Sequence, residues 1–127
     1  MKIEKFTDLT VWQKAHELTL LVYKLTGAFP DRERFGIVAQ IRRSAASVPA
    51  NIAEGFGRRT TRELLRSLQI ARGEVEETRY FSILSRDLGH LTADDLRRLT
   101  EGCDTVGKLI NALMTSLQRR LGESGKH

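Results

Sequence analysis

Apolar positions recur at helical spacing in four separate runs along this chain of 127 residues, each bounded by residues that start or stop a helix. Val11, Ala15, Leu18, Val22 and Leu25 alternate steps of four and three, the seam of a helix packed nearly antiparallel on its neighbours. That run predicts a start near Thr7 or Asp8, with Thr7 as cap and Phe6 stapled onto Val11, and an end at Gly27 and Pro30. The second run predicts a helix from about Glu33, through Pro49, to Gly55 or Gly57. Pro49 lacks an amide donor and crowds the carbonyl of Ala45, so a kink or short break is expected there.

Thr60 and Glu63 form a capping-box pattern that opens a third helix, which runs to Leu88 before the stop signal of Gly89. Its stripe is Leu64, Leu68, Ala71, Val75 and Thr78, prolonged weakly by Ser82 and Ser85. Tyr80, Phe81, Ile83, Leu84 and Leu88 widen its apolar surface. After Thr92, Asp94 and Asp95 fall in the first turn of a fourth helix, where the helix dipole favours acids. Leu96, Leu99, Cys103, Val106, Ile110, Leu113 and Leu117 then alternate three and four without a miss. Short connections between such helices predict an all-α, antiparallel up-down-up-down four-helix bundle. One domain over residues 1–127 is expected, with an ordered core over about 6–121 and a frayed tail at 122–127.

The second helix carries two stripes. Ile41, Ala45, Val48, Ile52 and Phe56 suit a core, while Arg43, Ser47, Asn51, Glu54 and Arg58 recur beside them. A solvated face is usually filled with interchangeable Lys and Glu, so short polar groups with one carboxylate and flanking arginines predict a specified hydrogen-bonding surface. Apolar residues off the main seams pose a similar choice. Trp12, Leu20, Leu21 and Tyr23, with Phe81, Leu84, Leu109 and Met114, read either as a subunit interface or as a wide core stripe.

Charge sharpens this picture. The net charge is +5, and residues 35–72 hold seven arginines, no lysine and two acids, whereas the segments on either side are close to neutral. Arg42, Arg43, Arg58, Arg59, Arg62, Arg66 and Arg72 are suited to bidentate contact with carboxylate or phosphate. Cys103 is the only cysteine, which excludes a disulfide within the chain and a multi-cysteine zinc site, and fits a reducing compartment. The first residues lack an apolar signal core and no apolar run is long enough to span a bilayer, so a cytoplasmic protein with no membrane partner is expected.

Enzyme chemistry finds no foothold. A di-metal centre in a bundle needs Glu-x-x-His pairs, and although Glu74 and Glu77 have suitable spacing, His16, His90 and His127 do not complete the motif. Cys103 lies on an apolar seam and reads as a core thiol. There is no phosphate-binding P-loop, and GFGRR ends a helix rather than opening one. No catalytic residue, metal site or cofactor is expected.

At VWQKA, at QIRR through SVPANIAEGFGR, and at SLQIARGEVEE, the chain resembles the four-helix-bundle proteins named for intervening sequences in bacterial 23S ribosomal RNA genes. The resemblance runs from about Phe6 to Leu121 and falls on Trp12, Arg42, Arg43, Ser47, Pro49, Asn51, Glu54, Gly55, Arg58, Gly73 and Glu77, among others. It implies an antiparallel bundle assembled as a ring-shaped homo-oligomer, a pentamer, with no established activity. Two positions depart from the family pattern: Ser67 stands where an aromatic is expected, and Glu74 replaces a serine. Phe81 or Tyr80 is expected to fill the missing aromatic packing. A related class, the accessory proteins of diversity-generating retroelements, forms basic rings that bind nucleic acid and a reverse transcriptase, and supplies an analogy.

Two functional readings follow. In one, Arg43, Ser47, Asn51, Glu54 and Arg58 bridge helices or subunits of a non-enzymatic homo-oligomer. In the other, Arg42, Arg59, Arg62, Arg66 and Arg72 hold RNA or DNA through its phosphates, alongside a nucleic-acid enzyme. The lack of aromatics among those arginines argues against base stacking.

Overall fold

The computed structural model describes residues 2–125. Its α-helices are α1 (Thr10–Thr26), α2 (Ile37–Gly57), α3 (Thr61–Asp87) and α4 (Ala93–Gly125), with single 3-10 turns at Phe6–Asp8 and Asp31–Glu33. Each helix packs antiparallel on the next and α4 closes against α1, so the four helices surround one core. The α2–α3 interface is the most extensive. No helix among the described residues is long and apolar enough to cross a membrane.

The apolar seams lie where their spacing placed them. Val11, Ala15, Leu18 and Val22 of α1 meet Ile41, Ala45, Val48 and Ile52 of α2, Leu68, Ala71 and Val75 of α3, and Leu99, Cys103, Val106 and Ile110 of α4. Phe29 and Leu91, from two loops, close one end. Phe56 departs from this plan: it is half-buried and lies outside the core cluster. Of the surplus apolar residues, Trp12, Leu21, Phe81, Leu84, Leu109 and Met114 pack against the core as a wide stripe requires, whereas Leu20 and Tyr23 stay exposed.

Helix boundaries differ from expectation at two starts. Thr7 does not cap α1: residues 6–8 form a 3-10 turn in which the Asp8 carboxylate accepts the amides of Glu4 and Lys5, and those two bonds hold its pKa below the usual value. Phe6 packs edge-on against Trp12, ring centres 5.1 Å apart, instead of stapling Val11. Glu33 falls in the turn before α2 rather than in the helix, where Oε2 lies 2.7 Å from the His90 ring and joins the α1–α2 and α3–α4 connections. The third start is as expected, since the Thr60 hydroxyl accepts the Glu63 amide at 3.1 Å. Gly89, at φ +85°, ends the turn after α3 in a conformation that glycine adopts freely. α4 continues to Gly125, beyond the expected fraying point, and the last two positions of the expected tail lie outside the described residues.

Of the kink or short break expected at Pro49, the break does not occur: α2 runs through Pro49 as one helix. A proline at position 49 removes the amide that would bond the carbonyl of Ala45, and Ala45 is fully buried. The hydroxyl of Thr19, on α1, lies 3.0 Å from that carbonyl and replaces the missing donor. The same hydroxyl also lies 3.0 Å from the carbonyl of Ala15 in its own helix. Helix α1 thus offers α2 a donor at the level where Pro49 supplies none.

This account makes a double-mutant prediction. Thr19→Val should orphan the Ala45 carbonyl and cost about 1–3 kcal/mol in urea denaturation. In a Pro49→Ala background, where residue 49 regains its amide, the same substitution should cost markedly less; equal costs in both backgrounds would refute the exchange of donors.

Candidate functional site

The polar stripe of α2 divides into three parts. Arg43 reaches across to α3, with Nη1 3.3 Å from Glu74 Oε2 and Nη2 ion-paired to Glu77. The two carboxylates with metal-ligand spacing are thus joined to one guanidinium, and Glu74, where the family pattern has serine, supplies half of an interhelical clamp. Ser47 and Asn51 turn back on their own helix: the Ser47 hydroxyl donates to the Arg43 carbonyl and the Asn51 amide to the Ser47 carbonyl, each at 2.8 Å. Glu54 and Arg58 face outward and pair with each other at 3.5 Å. These last two border a cleft of about 240 Å³ shared with Glu63, Arg66, Ser67 and Ile70 of α3. Two arginines and two acids therefore alternate around a polar depression with an exposed isoleucine at its edge.

The remaining arginines also separate by role. Arg42 serves the end of α1: Nε donates to the Thr26 hydroxyl at 2.9 Å, and the guanidinium lies over the Tyr23 ring at 4.5 Å. Arg59, Arg62 and Arg66 are exposed at the α2–α3 turn and the start of α3, and they enter no ion pair among the described residues. Arg72, further along α3, is turned toward α4, where its Nη1 lies 4.0 Å from the place a Cβ on Gly107 would take. Phe56 changes the sequence-based picture of these arginines, because it stands beside Arg59 in a second cavity, of about 400 Å³, which Arg120 also lines. An aromatic is present among the arginines after all. Its spacing had assigned it to the core, and no local signal links Arg120, on another helix, to this end of the bundle.

The α2–α3 interface is built from small and hydroxylic groups that let the backbones approach. Gly55 is the tightest point: a Cβ there would lie 2.4 Å from Ser67 Cβ and 3.3 Å from Leu64 Cα. Ser67 fits where an aromatic side chain would have to find another path, and Tyr80 and Phe81 cannot take its place, lying about 20 Å further along the same helix. Deeper in the interface, the Thr78 hydroxyl lies 2.9 Å from both Ser44 Oγ and the Glu74 carbonyl, while Ser44 donates to the Ile41 carbonyl. Ser82 and Ser85 donate to carbonyls one turn back. The sequence marked these hydroxyls only as a weak seam, and their burial becomes acceptable because each has a partner.

Cys103 is buried in the core, and burial pushes its thiol up to about 12, with Arg79 opposing the shift. A thiol so held is protonated near neutrality and a poor nucleophile. Among the described residues, no group of three His, Cys, Asp or Glu side chains is arranged to hold a metal ion.

A sequence model of the 23S rRNA-intervening sequence protein family matches residues 7–112. Among solved structures, the chain is similar to a protein with unknown function from the S23 ribosomal protein family of Bacteroides thetaiotaomicron. The TM-score is 0.75 at 24% sequence identity, and the match covers 83% of this chain and 95% of that one. At this identity the likeness speaks for the fold. No curated protein matches the chain.

The close approach at Gly55 yields a stability test. Gly55→Ala should destabilise the bundle by about 1–3 kcal/mol through overpacking against α3. Adding Ser67→Gly should recover part of that loss in thermal melts, since it removes the atoms that the new methyl meets.

Proposed function

This chain belongs to the 23S rRNA-intervening sequence protein family, and we propose that it acts in the cytoplasm as a non-enzymatic interaction protein. In this reading it assembles into a ring-like homo-oligomer, a pentamer. The observation that carries the reading is the number of large apolar residues that α3 leaves exposed. Ile70, Tyr80, Ile83 and Leu88 are 41–56% exposed along and just beyond this helix, although its inner stripe is already buried in the core. Large apolar residues concentrated on one helix suit a surface that another copy covers. The cleft around Glu54, Arg58, Glu63 and Arg66 would set register at such an interface, since its signs can be matched in only a few alignments.

Glu54 provides the test. Its only ion pair among the described residues is with Arg58, and an exposed pair of this kind is worth about 1 kcal/mol or less within the subunit. Glu54→Ala should therefore leave an isolated subunit almost as stable as before, while light scattering shows the assembly falling to lower mass. An unchanged mass with unchanged melting would remove Glu54 from the interface, and a wild-type protein that stays at 14.4 kDa across concentrations would refute the assembly itself.

A second reading has its own support. Arg59, Arg62 and Arg66 are exposed and without ion pairs among the described residues, so a ring would repeat this cationic cluster in every subunit. In that reading the protein is an accessory factor that holds RNA or DNA through phosphates with weak sequence preference, beside a nucleic-acid enzyme such as a reverse transcriptase. Labelled structured RNA should shift at about 50 mM salt and be released as salt rises. Charge reversal at all three arginines should abolish the shift, and no binding by the wild-type protein at low salt would refute this reading.

A further inference from the structure

We propose that the cavity at the α2–α3 turn is a binding site for a nucleotide 5′-phosphate. This proposal goes beyond the assembly reading and does not depend on it, because every lining residue comes from one chain. Four observations converge. The cavity is about 400 Å³, within the range of about 300–1,000 Å³ typical of small-molecule sites. Its apolar lining comes from Ile3, Phe56, Leu64 and Leu117, and its cations are Arg59 and Arg120, against one acid, Glu4. Neither arginine enters an ion pair among the described residues. Phe56 lies outside the core cluster, so its ring is not committed to holding the bundle together.

A further observation is the backbone of Arg59. At φ +65° it occupies the left-handed region that favours glycine, two residues after Gly57. The chain thus places an arginine where the turn itself would be better served by glycine, and such strain persists where surrounding structure or function requires it. Arg59 and Arg120 line the cavity from the α2–α3 turn and from the far end of α4, which gives it two guanidinium groups suited to phosphate. The Thr60 hydroxyl is already bonded to the Glu63 amide, and Thr60 and Thr61, at the start of α3, line the cavity, so the positive end of that helix dipole lies beside it. An aromatic ring beside this anion site suits a base, since stacking on Phe56 is tolerant of base identity.

The same chemistry could come from a free nucleotide or from the 5′-phosphorylated end of a nucleic-acid strand. Calorimetric titration with AMP, adenosine and inorganic phosphate tests the site, and amide NMR shifts locate it. AMP should bind at least about tenfold more tightly than adenosine or phosphate alone, with shifts centred on residues 3–4, 55–64 and 117–120. Arg59→Gln and Arg120→Gln should each weaken AMP binding about tenfold and leave adenosine unaffected, whereas Phe56→Leu should weaken AMP and leave phosphate unaffected. Both arginines are exposed, so these substitutions spare the fold. If a 5′-phosphorylated oligonucleotide displaces AMP and its 5′-hydroxyl counterpart does not, the ligand is a strand end; if neither displaces it, the ligand is a free nucleotide. Arg62 and Arg66 do not line the cavity, so Arg62→Gln and Arg66→Gln should leave AMP binding intact even where they weaken RNA binding. No heat or shift at millimolar AMP, equal affinity for AMP and adenosine, or indifference to the paired arginine substitutions would overturn the proposal.

Discussion

The buried carbonyl of Ala45 is the constraint on which the arrangement of α1, α2 and α3 rests. Pro49 withdraws its natural donor at a point where water cannot reach, and an unbonded carbonyl there would cost more than a typical hydrogen bond contributes. Thr19 meets the need from the neighbouring helix. A hydrogen bond between side chain and backbone tolerates little sliding, so this one ties the register of α1 to that of α2. With α2 held continuous through Pro49, its last turns extend far enough to set Gly55 against Ser67 and to present Phe56 and the following turn at the end of the bundle.

The same logic governs the other polar groups between helices. The Arg43 clamp on Glu74 and Glu77, the contact of Thr78 with Ser44, and the bond from Arg42 to Thr26 all join different helices. Each connects residues far apart in sequence, and together they consume much of the polarity that might have been taken for a reaction centre. What remains uncommitted lies outside: the cleft around Glu54 and Arg58, the apolar residues that α3 leaves exposed, and the cationic end formed by Arg59, Arg62 and Arg66 with Arg120 nearby. These are the surfaces on which the proposed binding roles rest.

Helix number, helix order and the apolar seams were legible in the sequence because they depend on periodicity, which is a local property. Val22, Ile41, Leu68 and Ile110 are buried as their spacing required. Periodicity fails at the ends of elements, where the last turn may have no neighbour to pack against. Phe56 satisfies the core spacing yet stays half-buried and lines a cavity with Leu117 and Arg120, and Glu33 continues a polar pattern into α2 but lies in a separate turn, against His90. Thr7, a good cap by type, gives way to a 3-10 turn organised by the Asp8 carboxylate.

The sequence by itself determined an all-helical chain, its four apolar seams, its family, and the concentration of charge in one run of arginines. Only the tertiary structure decided which of those arginines are occupied, why Pro49 does not break its helix, and that Phe56 and Arg120 share a cavity. The physical reason is the range of the interactions. Helix formation and seam burial follow from neighbours three and four residues away, whereas a salt bridge, a replaced hydrogen-bond donor or a cavity wall depends on partners that only the packing of distant helices brings within reach.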